Sequence, residues 1–337
     1  MRVLVTGGAG FIGSNFVRHL LREHPGYECI VLDKLTYAGN LENLHGLDSL
    51  PNFRFLRGDV CDADAVADAM HGADAVVHFA AETHVDRSIV NAGVFVETDV
   101  FGTFVFLEAA RSKGIRRFVH ISTDEVYGDC GERPSREDDP LMPRSPYAAS
   151  KAGADRLAFS YFCTYGLPVV ITRCTNNYGP YQHPEKLIPL FITNAIEGKT
   201  LPVYGHGNNT RDWIYVEDHC RALDLVLHAE GVEGEVFNIG SHEEHSVLEI
   251  ADFILSALDR PKGLVQHVPD RLGHVRRHAV DTAKIRERLG WKPEEGFWRA
   301  LGRTVHWYTQ HAGWWQRISA GNANELHPQF AENAGCH

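Results

Sequence analysis

No apolar run in the 337 residues approaches the roughly 20 that a membrane-crossing helix needs, so none is expected. Paired cysteine spacings are missing as well. Cys29, Cys61, Cys130, Cys163, Cys174, Cys220 and Cys336 are odd in number and stand singly, which reads as free thiols in a reducing compartment. Positive charge is in deficit: the formal net charge of -11 argues against a nucleic-acid partner, although a local basic pocket for an anionic small molecule stays compatible with it. Internal repeats and low-complexity tracts are absent, and the chain opens directly on "MRVLVTGG", without the basic and apolar segments of a leader. Together these absences point to a cytoplasmic globular protein. At 44% apolar and 23% charged, its composition can form one large domain or two smaller ones sharing a cleft.

What the sequence does contain is alternation. "RVLVTG", "CIVLD", "FRFLRGD", "AVVHFA", "RFVHIS" and "VVITRC" read as strands separated by helical patterns, the signature of βα units and a parallel sheet covered on both faces. The long apolar stretch "VFVETDVFGTFVFLEAARSKG" reads as a buried helix. From "NNYGPYQHPEKLIPL" onward, Pro- and Gly-punctuated segments suggest a second, smaller lobe. The expected division is residues 1–175, with segments near 211–240 returning to it, then mainly 176–315. After Trp315 periodicity is lost, and 316–337 is expected to be a surface-laid or mobile tail.

"VTGGAGFIG" follows the first strand and opens the first helix. Gly8, Gly10 and Gly13 satisfy Gly-x-Gly-x-x-Gly, and Gly7 adds a second register; glycine permits the tight turn and lets backbone amides approach a pyrophosphate. Asp33 ends the second strand, 20 residues after Gly13, where an acid accepts hydrogen bonds from both adenosine ribose hydroxyls and repels a 2′-phosphate. NAD is therefore expected over NADP, on a Rossmann-type doubly wound α/β sheet with a smaller C-terminal substrate-binding lobe. Asp59 and Val60 close the third strand, and the small residues Ala80 and Ala81 follow the fourth.

"SPYAASKAG" sets Tyr147 and Lys151 four residues apart, on one helical face. An ammonium beside a phenol stabilises phenolate, so the pair is expected to take a proton from a sugar hydroxyl as hydride leaves. "TGGAGFIG", "STDEVYG", "YAASK" and "NNYGPYQHPEKLIPL", with the longer words "DKLTYAGN", "AAETHVDRSI" and "RDWIYVEDH", make residues 1–315 resemble the nucleoside-diphosphate-glucose 4,6-dehydratases. These are extended short-chain dehydrogenase/reductases acting on nucleotide sugars, and the resemblance is to the dTDP-glucose 4,6-dehydratase family among them.

The resemblance implies a reaction. Related epimerases share the cofactor loop and the Tyr-Lys pair, so the distinguishing residues are Thr123, Asp124 and Glu125. Thr123 is expected to help hold the sugar 4-hydroxyl beside Tyr147. Oxidation at C4 acidifies the C5 proton, which an ionised Glu125 would remove, while a protonated Asp124 would protonate the leaving C6 hydroxyl; adjacent carboxyls in a dry cleft cannot both ionise cheaply.

The implied cofactor set is Gly7, Gly10, Phe11, Ile12, Gly13, Asp33, Lys34, Thr36, Asp59, Val60, Phe79, Ala80, Ala81, Thr83, Thr98, Tyr147, Lys151 and Asn177. The nucleoside-diphosphate hexose would be held by Thr83, Thr123, Asn176, Lys186, Leu187, Pro202, Tyr204, Arg211, Ser246, Asp270, Arg271 and His274, with the arginines clamping phosphate. Three positions depart from the family pattern: Asp99 and Ser246 stand where asparagine is usual, and Leu272 where proline is. No metal is expected, since His78, His84 and His120 form no ligand-type spacing. In this fold two helices per subunit commonly form a four-helix interface, so a homodimer is expected through residues near 94–111 and the Tyr147 helix. The rival readings are a nucleotide-sugar 4-epimerase, which has no use for two adjacent acids, and an NAD-binding sensor without catalysis.

Overall fold

Strands β1 (Arg2–Thr6), β2 (Glu28–Asp33), β3 (Phe53–Arg57), β4 (Ala75–His78), β5 (Arg117–Thr123) and β6 (Val169–Cys174) coincide with the six apolar runs of the first half. Shorter strands dominate the second half: β7 (Asn176–Tyr178), β8 (Leu201–Tyr204), β9 (Thr210–Tyr215), β10 (Val236–Ile239), β11 (Glu244–Ser246), β12 (Val265–Val268) and β13 (Arg277–His278). They come from a computed structural model, which describes residues 1–270 and 273–321.

The main sheet has seven parallel strands in the order β10-β6-β5-β4-β1-β2-β3. Strand order reverses between β1 and β4, which opens a crevice at their carboxyl ends where ligands bind in such sheets. Alternate residues feed opposite faces: Val3, Val5 and Val119 join the first helix (Phe11–Glu23) in one core, while Leu4, Val76 and Phe118 join Phe106 and Tyr161 in another. That division follows from the two-residue period of a strand covered on both sides.

The second lobe has its own aromatic core, with Phe191, Trp213, Phe297, Tyr308 and Trp315 buried around a small sheet of β7, β9, β11 and β13. The chain re-enters the first lobe through the helix Val216–His228, which packs on the first helix, and through β10. Residues 211–215, expected with the returning segments, instead pair as β9 with β7 and β11.

Two further expectations are corrected. Residues 316–321 are not tail but the end of a helix, Ala312–Gly321. Trp314 and Trp315 anchor it in the aromatic core, Ile318 packs against that core, and Arg317 pairs with Glu42, so the weak periodicity concealed a docked helix. Residues 322–337, including Cys336, lie outside the described residues. The apolar stretch after Ala92 is not one buried helix: an α-turn (Ala92–Phe95) runs into a π-helical turn (Val96–Phe101) and then an α-helix (Gly102–Lys113). Its inner face buries Phe95, Asp99 and Phe106, whereas Val96, Phe101 and Phe104 remain about half exposed.

Candidate active site

The glycine loop is shaped by its neighbours. Gly7 adopts φ 65°, and a Cβ there would lie 2.8 Å from the Ala80 backbone nitrogen, so β1 can meet β4 this closely only through glycine. Gly10 caps the first helix without any side-chain acceptor, which leaves the first-turn amides facing the crevice. Asp33 is buried at the end of β2 and accepts hydrogen bonds from the backbone amides of Ala9 (2.9 Å) and Leu35 (2.8 Å), while burial raises its pKa. Asp59 accepts from the Cys61 amide (3.0 Å), and Lys34 reaches it at 2.5 Å.

A cavity of about 300 Å³ runs from this loop to the acid pair. Every residue of the expected cofactor set lines it, together with Thr123, Asp124, Glu125, Asn176 and Lys186. Leu187, Pro202, Tyr204, Arg211, Ser246, Asp270 and His274 lie outside its wall, and Arg271 lies outside the described residues.

At the far end β5 stops at Thr123, whose hydroxyl accepts from the Glu125 amide (3.3 Å) and so caps a single 3₁₀ turn, Asp124–Tyr127. That turn answers why two acids follow a buried strand: it tucks Asp124 inward, 3% exposed, and leaves Glu125 half-buried at the cavity wall. The Thr123 hydroxyl also donates to Asp124 Oδ1 at 3.2 Å, while Oδ2 is buried without a hydrogen-bond partner among the described residues. Burial first, and the Glu125 charge second, hold the Asp124 carboxyl well above its ordinary pKa, against a weaker opposing pull from Arg211. That direction favours the protonated form of Asp124.

The Tyr147 helix (Pro146–Tyr165) starts with Ser145 as its cap and lays Lys151 along β5. Lys151 is buried, and its ammonium donates to the Ile121 carbonyl at 2.7 Å; burial lowers its pKa while the Asp99 charge opposes that shift. Burial, Glu125 and Asp99 hold Tyr147 well above the usual phenol range, against a smaller contribution from a Thr123 hydrogen bond.

Several supporting contacts escaped the sequence reading, which named Asp99 only for its departure from the family pattern. Asp99 sits in the π-helical turn and accepts from the Glu82 amide (2.9 Å) and the Ser150 hydroxyl (2.6 Å); burial pushes it up to about 6. Asp212, buried and pushed up to about 6 by desolvation, adds a further negative field behind Asp124. Arg173 pairs with Asp155 on the Tyr147 helix (2.8 and 3.0 Å) and donates to the Tyr127 hydroxyl of the 3₁₀ turn (2.7 Å), which in turn donates to Asn238 on β10 (2.8 Å). The only local hint of that network is an arginine inside an otherwise apolar strand.

In the second lobe, Lys186 reaches back to the Thr83 carbonyl (2.7 Å). Arg211 donates to the carbonyls of Thr210 (2.8 Å) and Val275 (2.9 Å), which ties β9 to the stretch before β13. His274 contacts Asp270 at 2.6 Å and lies edge-on to Tyr204, so these three gather on one rim. Ser246 forms a capping box with Glu249 at the start of the helix Val247–Ala257, a structural task for a residue expected at the nucleotide.

The model of the GDP-mannose 4,6 dehydratase family matches residues 4–304. A dTDP-glucose 4,6-dehydratase of Streptomyces niveus is 54% identical over 95% of this chain and 96% of its own length. The chain belongs to the dTDP-glucose 4,6-dehydratase family. Among solved structures, DesIV, a dTDP-glucose 4,6-dehydratase from Streptomyces venezuelae with NAD and TYD bound, matches with a TM-score of 0.92 and 52% identity, covering 94% of this chain and 100% of that one. A UDP-glucose 4-epimerase of Thermus thermophilus in complex with NAD has a TM-score of 0.85 and 33% identity over 92% of this chain and 100% of its own. The shared fold thus extends to epimerases, while the higher identity lies with the dehydratases. No helix among the described residues is long and apolar enough to cross a membrane.

Proposed function

We propose that this chain removes water from dTDP-glucose to give the 4-keto-6-deoxy sugar nucleotide, with NAD tightly bound and regenerated each cycle. The observation that carries this reading is Asp124, buried with an unpartnered oxygen next to Glu125, in the cavity that also holds Tyr147 and Lys151. The uncapped first-turn amides and the buried Asp33 fit a dinucleotide's pyrophosphate and ribose. When bound, NAD accepts hydride from C4 of the sugar and later returns it to C6. Thr123 orients the 4-hydroxyl, and Tyr147 takes its proton as phenolate, the form that the buried Lys151 ammonium favours against the desolvation that raises the phenol's pKa. Lys151 supplies a buried positive charge beside β5. Glu125 withdraws the C5 proton made acidic by the neighbouring ketone, Asp124 gives its proton to the departing C6 hydroxyl, and Glu125 then returns a proton to C5. A 4-epimerase needs no such proton donor, which disfavours that reading and the inactive-sensor one.

Lys186 and Arg211, with Arg271, are the cations offered to the diphosphate, and the rim of Tyr204, Asp270 and His274 is offered to the nucleoside. Exposed Val96, Phe101, Phe104 and Tyr165 lie on the two helical segments expected at a four-helix homodimer interface, which supports that assembly. Buried Cys29, Cys174 and Cys220 are unpaired, in keeping with a cytoplasmic location.

Incubation with dTDP-glucose, and separately with UDP-glucose, tests the reaction. Loss of one water by mass and the alkaline absorbance of the ketone are expected with dTDP-glucose. An isomer of unchanged mass, or no reaction with either, overturns the reading.

A further inference from the structure

Away from the cavity, one carboxylate gathers three imidazoles. Asp224 lies on the helix Val216–His228, and His228 follows it by four residues, on the same face. His24, at the carboxyl end of the first helix, brings Nε2 to 2.9 Å from Asp224 Oδ1; His228 Nδ1 stands 3.0 Å from the same oxygen. His19 Nε2 meets Oδ2 at 3.1 Å.

We propose that His24, His228 and Asp224 form a site for a zinc-type divalent transition metal, with His19 and Tyr27 orienting two of its ligands. Two imidazole nitrogens and a carboxylate oxygen suit such ions better than calcium or magnesium, which favour all-oxygen sets. One atom from each of the three lies within 4.8 Å of the others. Two ligands of a tetrahedral zinc, each at about 2.0–2.1 Å, stand roughly 3.3 Å apart, so each imidazole nitrogen need move from the carboxylate oxygen by only a few tenths of an ångström, and the two nitrogens already lie within 4.8 Å of each other.

The surroundings match a metal site. His19 holds the second carboxylate oxygen, and the Tyr27 hydroxyl lies 3.0 Å from His228 Nε2, the nitrogen that faces away from Asp224. The His24 ring stacks on Tyr27 at 4.7 Å and packs beside the His228 ring, which fixes its plane. Side chains of His24 (27% exposed) and His228 (33%) reach solvent, leaving a coordination position for water and a route for the ion. His228 Nδ1 also hydrogen-bonds the Asp224 carbonyl at 2.8 Å. On binding, a neutral ring moves its proton to the other nitrogen and a protonated ring releases one to water, so affinity rises with pH. The first helix has 13 residues, so the cluster is about 20 Å from the glycine loop at its other end, and the metal would clasp two helices without entering the reaction.

Isothermal titration of the untagged, chelator-treated chain with Zn²⁺ tests this. One equivalent per chain is expected, with a rise in thermal midpoint and no response to Mg²⁺. The double variant His24→Gln/His228→Gln should lose affinity by about 100-fold, and Tyr27→Phe, which keeps every ligand, by about 10-fold. Turnover of sugar nucleotide should be unchanged in both. Absence of binding heat, or the same one-equivalent binding in the double variant and in Tyr27→Phe, overturns the proposal.

Discussion

Asp124, at the head of the 3₁₀ turn, keeps one oxygen without a partner among the described residues, whereas Asp224, between two surface helices, receives three imidazole nitrogens. The first is held well above the ordinary carboxylate pKa by burial and a like charge. In the second, partial burial pushes upward too, but the hydrogen-bonding histidines together outweigh it and hold the group well below that range. Burial alone therefore does not set the proton; the kind of partner that opposes it does, since Asp99 stays raised with an amide and a hydroxyl donating to it whereas three histidines lower Asp224. Asp155 shows this between the extremes, since it is as deeply buried as Asp124 yet, against that burial, is lowered by Arg173.

The sharpest break in the comparison is Glu125→Gln, which removes both the proposed base and the charge that helps keep Asp124 protonated. Water loss should fall by about 10²–10⁴-fold while C4 oxidation, read as NADH absorbance in a single turnover, persists. Elimination at the normal rate would reassign the base. Arg173→Leu should strip Asp155 Oδ2 of its partner, leaving only Arg156 on Oδ1, and cost at most about 3–5 kcal/mol in urea unfolding, because one side of a buried ion pair is removed.

Asp99→Asn probes a smaller imbalance. Its folded pKa is raised to about 6, so the charged form is disfavoured in the native state and the wild type loses stability as pH rises from the unfolded carboxylate pKa through that value. An amide can accept from Glu82 and donate to Ser150, so the variant should gain about 1–3 kcal/mol at pH 8, with the gain vanishing toward pH 4. A pH-independent difference would show that Asp99 is not the titrating group. The smallest effect belongs to His228→Ala. His228 is raised by its bond to Asp224, so its contribution is complete below the unfolded histidine pKa and is lost as pH rises through the folded one. In chelator, the variant's deficit in thermal midpoint should be larger at pH 5.5 than at pH 8.5; the reverse order would contradict a charged His228.

Features that act through the backbone were legible in sequence. The six strands, the glycine loop and Asp33 follow from local patterns, because turn geometry and strand alternation are decided within a few residues. The acid pair was legible as chemistry, but not the capped turn that separates the two carboxyls. What escaped were meetings set by topology. Arg173, Tyr127 and Asn238 come from three separate elements, and His24 and Asp224 lie 200 residues apart. Burial also opposes one expectation: four-residue spacing put Lys151 on the Tyr147 face, while its ammonium donates to the Ile121 carbonyl and desolvation raises the phenol.

The Arg173 network has a consequence for timing. One guanidinium joins the strand it stands on to the helix carrying Tyr147 and to the turn carrying both acids, and the Tyr127 hydroxyl extends the join to β10. Those pieces cannot slide past one another without leaving a bare charge in the interior. The spacing between Tyr147, proposed for the 4-hydroxyl, and Asp124 and Glu125, proposed for C5 and C6, is consequently fixed when the chain folds, before any sugar arrives. The proposed proton movements would then share one stationary frame, and the adjustment to each new bond would fall to the substrate.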